Sequence, residues 1–187
     1  MSDKRQRILT ATEALLAEHG FHGLSMQMVA KKADVAIGTI YRYFSDKDDL
    51  IEQLHQHLIA IIATEVQKNV TDDLSLKMQY RTMWLNTWHF TNSNRSPMLT
   101  RNQFKNLPCG NKPTRKQTEI QHFDKVRNFY NEGLELGLFK PLPIEILATL
   151  SLETSASLAR KQVQNIVEVT EPELDLVIES TWQSILK

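Results

Sequence analysis

Cysteine is almost absent from this sequence, and the chain carries no net charge. One of the 187 residues is a cysteine, and 22 basic residues balance 22 acidic ones. A single cysteine cannot form an internal disulfide, which predicts a reducing compartment, the cytoplasm. A net charge of zero argues against a protein that coats nucleic acid without regard to sequence.

Long apolar runs are absent as well. No run approaches the roughly 18 residues needed to cross a membrane, and the first residues lack the apolar core and cleavage site of a signal peptide. No membrane partner is therefore expected. With 41% hydrophobic and 24% charged residues, the composition is that of a globular protein with a substantial core.

The motifs of common enzyme classes are also missing. The sequence contains no His-Glu-x-x-His, paired-cysteine motif, phosphate-binding glycine loop or nucleophile elbow. His55 and His57 stand two residues apart in a helical stretch, so their side chains face apart and no metal site is expected. We predict no cofactor. An enzyme, or an interaction protein of helical fold without DNA binding, is kept as the alternative function.

The most informative stretch runs from Ser25 to Lys47. Ser25 can cap a helix whose apolar residues recur at helical spacing until Asp34. A second short helix starts near Ala36. Ser45, with Asp48 three residues later, predicts a capping box at the start of a third, long helix. Two short helices in so few residues indicate a helix-turn-helix.

The second short helix has an unusual exposed face. Val35, Ile40 and Phe44 are predicted to pack against the partner helices. The other face then carries an isoleucine, two tyrosines, an arginine, a threonine and a glycine, namely Ile37, Gly38, Thr39, Tyr41, Arg42 and Tyr43. Packing explains such a set poorly, whereas phosphates and base edges would suit it.

The stretch VAIGTIYRYFSDKDDL resembles the signature of the TetR-type (tetracycline-repressor-like) transcriptional regulators. Ile8 to Leu15, followed by Gly20 to Gly23, is similar to the family's first helix and the turn after it. Two positions depart from the pattern. Ala36 replaces the usual Ser or Thr cap, and Asp34 stands where glycine is common.

Helical periodicity along the chain predicts an all-α fold of about nine helices, and the resemblance implies two domains. A DNA-binding domain would span residues 1–47, and a ligand-binding and dimerisation domain residues 48–187. Such a protein would bind a palindromic operator as a homodimer, act as a repressor, and be released from DNA by a small-molecule effector. The positions that match DNA-contacting positions of the family are Ser25, Gln27, Ile37, Gly38, Thr39, Tyr41, Tyr43 and Lys47.

The effector-binding region is predicted between Tyr80 and Tyr130, where rings and methionines are concentrated. Ordinary core is the simpler explanation for any single residue. As a group they suit a small-molecule pocket between helices. The pocket candidates are Trp84, Trp88, His89, Phe104, Phe123 and Tyr130. An excess of basic residues over 95–127, eight against two acidic ones, suggests an anionic ligand or a solvated basic face.

The last two predicted helices, 144–166 and one that starts near Pro172, carry apolar and small-residue stripes at helical spacing. One stripe could be satisfied within a monomer, but in the resembling family these helices pair across a two-fold axis. The predicted dimer contacts are Leu147, Ser151, Ser155, Leu158, Val177, Ile178, Trp182 and Ile185.

Two further hypotheses concern the basic N-terminal segment and the cysteine. The basic leader Lys4, Arg5 and Arg7 could reach DNA phosphates or be a disordered end. Cys109 lies among lysines and arginines that favour a thiolate, so it could sense oxidants or electrophiles, or be a small apolar residue.

Overall fold

The computed structural model describes residues 3–93 and 121–187, and the regular structure in these ranges is helical. The helices before residue 70 are α1 (Asp3–Gly23), α2 (Met26–Ala33), α3 (Ile37–Tyr41) and α4 (Lys47–Val66). Those after it are α5 (Leu76–Asn92), α6 (Asp124–Glu135), α7 (Ile144–Leu150), α8 (Leu152–Val163) and α9 (Glu171–Ile185). Extended pairing in the described ranges is limited to an isolated antiparallel bridge between Phe139 and Leu186. The predicted all-α fold is confirmed.

Contacts divide the described chain into two compact units. The first unit contains residues 3–59, and the second contains residues 60–93 and 121–187. The division falls inside α4, whereas the sequence predicted a boundary after Lys47. The first half of α4 belongs to the first unit because Leu50, Ile51, Leu54 and Leu58 are buried in that unit's core.

The first unit has an aliphatic core built from one face of each helix. Ile8, Leu9 and Leu16 of α1, Val29 of α2 and Ile40 of α3 are fully buried. Helix α1 is interrupted at Gly20, whose φ of 68° and ψ of 179° are not helical. Glycine adopts a positive φ without a steric penalty, so Gly20 kinks the helix before its last turn.

The predicted capping box of α4 is shifted by one residue. Asp46, not Ser45, caps the helix, because Asp46 Oδ1 accepts the Asp49 backbone N–H at 2.8 Å. Asp49, not Asp48, supplies the returning carboxylate, which accepts the Ser45 backbone N–H at 2.8 Å. Ser and Asp both cap well, so the pattern identified the helix start but not its register.

The second unit has an aromatic core. Tyr80 lies against Phe129 and Trp182, with ring centroids 6.1 and 5.2 Å apart. The indoles of Trp84 and Trp88 stack at 6.0 Å. Within the described ranges, none of the helices is long and apolar enough to cross a membrane.

The predicted helix 144–166 is two helices, because Ser151 has a φ of −126° and a ψ of −87° that break it. The stripe predicted to pair with a second subunit faces the inside of this one. Leu147, Ser151, Ser155 and Ile185 are completely buried, and only small fractions of Ile178 and Trp182 are exposed. Leu158 and Val177 are half-buried against the same core. An apolar stripe does not reveal what covers it, and here the subunit's own core does.

Candidate nucleic-acid interface

Helix α2 is held at both ends by local contacts that its sequence encodes. The Ser25 side chain accepts the Met28 N–H at 3.2 Å and caps the N-terminus, as predicted. Asp34 ends the helix in the left-handed conformation, with a φ of 51°, and its N–H bonds to carbonyls of the last turn. Asp tolerates this conformation better than most residues, which explains how it occupies a position where glycine is common.

Helix α3 is a single turn whose exposed face is open to solvent. Ile40 and the following Phe44 are buried and anchor it to the core. Tyr41 is 52% exposed and Ile37 39% exposed. A Cβ placed on Gly38 would meet no atom of the described residues within 4 Å. The backbone of α3 can therefore be approached closely at Gly38, beside two large exposed side chains.

The other predicted contact residues are placed less uniformly. Gln27 is exposed on α2, whereas Thr39 is half-buried. Ser25 is half-buried and already uses its hydroxyl as a cap. Tyr43, expected on the outer face with Tyr41, packs instead against the core of the first unit. The chain leaves the helical path after Tyr41, so helical spacing no longer predicts which way Tyr43 faces.

Lys47 already has partners within the first unit. Its ammonium donates to the Phe21 carbonyl at 2.7 Å and lies 4.2 Å from the centre of the Phe21 ring. An ammonium has three N–H donors, so these contacts leave capacity for a phosphate. They also hold Lys47 against the turn that precedes α2.

The basic leader is engaged inside the first unit. Arg7 donates to the carbonyls of Ala33 and Asp34 at 2.6 and 2.8 Å. Arg5 donates to Gln53 Oε1 at 2.6 Å. Both belong to α1, so the leader is not a disordered end. These contacts could not be predicted from the sequence, because their partners lie far along the chain.

Among the described effector candidates, four belong to the core of the second unit, namely Trp84, Trp88, Tyr130 and Phe123, whereas His89 lies at the surface. Trp84 and Trp88 are buried together, and Tyr130 is buried with its hydroxyl 2.8 Å from Ser151 Oγ. Phe123 is half-buried just before α6, and His89 is exposed beside a surface cleft of about 310 Å³. Phe104 and Cys109 lie outside the described residues, as do Arg95, Arg101, Lys105, Arg115 and Lys116.

Two buried polar groups of the second unit, the Trp84 indole N–H and the Asn92 amide nitrogen, lack a partner among the described residues. The Trp84 indole N–H is inaccessible to solvent, yet no acceptor in the described ranges reaches it. A buried donor without an acceptor costs on the order of 1–3 kcal/mol. By contrast, the Tyr130 hydroxyl is satisfied, and burial raises its pKa well above the usual range, so it stays protonated.

Potential metal ligands are not clustered in the described parts of the chain, where no three of them come together. His57 Nε2 lies 3.2 Å from Gln6 Nε2, and His55 is buried in the core of the first unit. The two rings therefore have separate surroundings, in keeping with their two-residue spacing on α4.

Family models match most of the chain. The model described as "Bacterial regulatory proteins, tetR family" matches residues 8–54, and "Tetracyclin repressor-like, C-terminal domain" matches residues 75–186. The chain belongs to the TetR family of transcriptional regulators. It is a DNA-binding regulator and not an enzyme, because the family and its members named here are regulators.

Individual TetR-family relatives agree with this assignment. An HTH-type transcriptional regulator of Haemophilus influenzae is 33% identical and is matched over 100% of this chain and 97% of its own length. The structure of a TetR-family regulator from Vibrio parahaemolyticus, 44% identical, superposes with a TM-score of 0.87, over 99% of this chain and 100% of that one. The repressor KstR of Rhodococcus jostii is 49% identical over 49 residues, 26% of this chain and 23% of KstR.

Proposed function

We propose that this TetR-family protein is a ligand-responsive repressor that binds a palindromic operator as a homodimer. The exposed face of α3 carries the proposal, because Ile37 and Tyr41 flank an unobstructed backbone at Gly38. A helix that enters the major groove needs such side chains and such room. KstR, similar in the DNA-binding segment, is named a repressor, which favours repression. Its place of action would be the bacterial cytoplasm, where the DNA lies.

The proposed DNA contacts fall into two classes. Gln27, Ile37, Gly38, Thr39, Tyr41 and Tyr43 would contact bases or the backbone near them. Ser25 and Lys47 would contact phosphates, which supply affinity with little dependence on sequence. Since Ser25 and Lys47 are also bonded within the protein, each phosphate contact would be added to an existing one.

The experiment begins by selecting a duplex from a random-sequence library with the wild-type protein. We expect a palindrome whose half-sites lie about one helical turn apart. Gly38→Ala should then lower affinity for this duplex at least tenfold without lowering stability, because the added methyl has room in the free protein but not against DNA. Unchanged affinity of Gly38→Ala would remove α3 from the interface, and a selected duplex without two-fold symmetry would contradict the dimer.

Lys47 and Gln27 separate phosphate contacts from base contacts. Lys47→Ala should weaken binding to all duplexes about equally and reduce the slope of log K against log salt by roughly one unit. Gln27→Ala should relax the preference at one position per half-site. A Lys47→Ala protein with wild-type salt dependence would show that Lys47 serves only to hold Phe21.

The dimer surface is proposed on the outer faces of α7 and α9. Ile146, Leu150 and Leu176 are large apolar residues that are 46%, 40% and 68% exposed. The Ser184 hydroxyl donates to the Leu150 carbonyl at 3.1 Å and joins the two helices. Exposed apolar side chains on adjacent elements mark an interaction surface.

Light scattering tests this surface. Leu176→Asp should yield folded monomers that lose operator affinity, whereas Asp175→Asn, a neighbouring exposed change, should leave the dimer intact. A dimeric Leu176→Asp protein would place the interface elsewhere.

The effector is proposed to bind beside Trp84 and Trp88. The Trp84 N–H has no acceptor among the residues that the structure describes, which supports this position, since a ligand acceptor would remove the cost of burying it. Small molecules retained from a cell extract should quench the fluorescence of these indoles and release the operator duplex. Retained molecules that bind without changing operator affinity would contradict an effector role.

Cys109 stays a candidate sensor as well. The comparison is operator affinity of wild type and Cys109→Ser before and after a quinone or mild oxidant. Equal responses of the two proteins would exclude the cysteine as the input.

A further inference from the structure

The recognition helix α3 is too short to be stable as a helix by itself. It is five residues long, and among the described residues no side chain caps its N-terminus at Ala36. A single helical turn is unfavourable in isolation, because fixing the first turn restricts several residues for one hydrogen bond. The position of α3 must therefore be determined by contacts at its two ends as well as by burial of Ile40.

Arg7 of α1 fixes the segment that enters α3. Its guanidinium donates to the carbonyls of Ala33 and Asp34 at 2.6 and 2.8 Å, and lies 3.1 Å from the Asp34 carboxylate. These carbonyls form the C-terminus of α2, where a cation is favourable. Asp34 also has the left-handed conformation that turns the chain towards α3. Arg7 thus stabilises the turn at the point where its backbone is strained.

Arg5 fixes the segment that leaves α3. It donates to Gln53 Oε1 at 2.6 Å, and the amide nitrogen of Gln53 lies 3.5 Å from the Tyr43 carbonyl. The Arg5 guanidinium also lies 5.7 Å from the centre of the Phe44 ring, a cation–π distance. Gln53 is itself oriented by Asp49 Oδ1 at 2.9 Å. Residues 43 and 44, immediately after α3, are thereby tied to both α1 and α4.

We propose that Arg5 and Arg7 are positioning residues for DNA recognition: they hold the two ends of α3 and are not phosphate ligands. The inference rests on DNA recognition by α3, which Gly38→Ala tests separately. Loss of either arginine should lower the fraction of protein in which α3 is correctly placed. Apparent operator affinity falls by that fraction, although no contact with DNA has been removed.

Salt dependence separates positioning from phosphate binding. With the duplex selected by the wild-type protein, Arg7→Met and Arg5→Met should each weaken binding about tenfold at every salt concentration. The slope of log K against log salt should equal that of the wild type. Removal of a residue that binds a phosphate would instead reduce this slope by about 0.9 units. A reduced slope in both variants overturns the proposal.

Lys4→Met is the matched control, because Lys4 is an exposed cation on the same turn of α1. It removes the same charge, so an equal loss of affinity in Lys4→Met and Arg7→Met would show a general charge effect and overturn the positioning role. Circular dichroism and thermal unfolding confirm that the variants are folded.

The coupling between Arg7 and Asp34 gives a second readout. Glycine adopts the left-handed conformation without strain, so Arg7→Met should cost less affinity in an Asp34→Gly background than in the wild type. Equal costs in the two backgrounds would show that Arg7 does not act through this turn.

Arg→Lys variants keep the proposal testable if a methionine variant fails to fold. Lysine keeps the charge but presents one nitrogen instead of a fork. A positioning role predicts weaker binding of Arg7→Lys and Arg5→Lys with the wild-type slope. Wild-type affinity of both would support phosphate contact instead.

Discussion

The two units achieve their stability with different chemistry. In the first unit, as far as it is described, Phe44 is the one buried aromatic side chain among aliphatic residues. The second unit buries rings in mutual contact, among them Tyr80, Phe129, Phe139 and Trp182. The aliphatic side chains of the first unit can pack in many arrangements. The flat, rigid rings of the second unit can pack in few.

Their polar contacts differ in the same way. In the first unit, Arg7, Ser25 and Asp46 satisfy helix ends near the surface. In the second, polar groups meet inside the core. The Ser151 hydroxyl donates to the Leu147 carbonyl of α7, so the Tyr130 hydroxyl donates to Ser151 Oγ. Tyr80 and Thr181 repeat this arrangement at 2.6 Å. Helix-end contacts orient a binding surface, whereas core hydroxyls select one packing of the rings.

The largest expected effect concerns Trp182, which touches three other rings of the second core. Trp182→Ala should lower the free energy of unfolding by about 3–5 kcal/mol, because it leaves a cavity in the aromatic core. Arg127→Ala, at an exposed position of α6 outside the proposed dimer surface, should change stability by less than about 0.5 kcal/mol. Denaturation at constant protein concentration, followed by tryptophan fluorescence, measures both. Equal small effects would mean that Trp182 is not a core residue.

Gly133 of α6 tests how closely the second core is packed. A Cβ at this position would lie 2.0–2.5 Å from three atoms of the Phe139 ring. Gly133→Ala should destabilise the protein by about 1–3 kcal/mol, since the ring must move. Gly38→Ala, also helical but open, should be neutral or slightly stabilising. Phe139→Leu should recover part of the loss in a double variant, and no recovery would assign the cost to another contact.

Removal of the buried hydroxyl of Tyr130 should have a smaller effect. Tyr130→Phe should cost about 0.5–1.5 kcal/mol, because Ser151 Oγ keeps its bond to Leu147. Tyr41→Phe, in the exposed face of α3, should leave stability unchanged. Urea denaturation measures the free energy of unfolding of both variants. Equal losses in Tyr130→Phe and Tyr41→Phe would show that the buried hydroxyl does not stabilise the second core.

The smallest effect is a titration in the first unit. Desolvation, followed by the charge of Arg5, lowers the pKa of His57 below its ordinary 6.5. As pH falls below 6.5, the unfolded chain is protonated first, so the free energy of unfolding falls. NMR titration of the His57 ring should show the lowered pKa, and Arg5→Met should raise it partly. An unchanged pKa in Arg5→Met would indicate that desolvation acts alone.

The first unit was predicted better than the second from the sequence because its signals are local. Ser25 and Asp34 act on residues within one turn of themselves, so the helix-turn-helix follows from short patterns. The second unit depends on contacts between distant residues. The stripe through Leu147 and Trp182 was correctly identified as buried, but helical spacing does not state whether a second subunit or the same one covers it.

Other differences arise where a helix ends or changes register. Tyr43 is half-buried against the core of the first unit because α3 stops two residues earlier. Helical spacing from Leu50, Leu54 and Leu58 predicts Ile61 on the buried face of α4, but Ile61 is 37% exposed, while Ile59 and Ala63 are buried. Arg5 and Arg7 could not be paired with their partners, because no local pattern connects α1 to residues 33–53.

The brevity of α3 has a consequence for protein engineering. A synthetic peptide of residues 25–47 would contain every side chain of the helix-turn-helix and yet have little helical structure in water, because α1 and the first half of α4 supply its scaffold. Transplanting the DNA specificity of this protein to another regulator would therefore require moving residues 3–59 as one module. Swapping the five residues of α3 alone would transfer the side chains of the recognition helix without the contacts that position it.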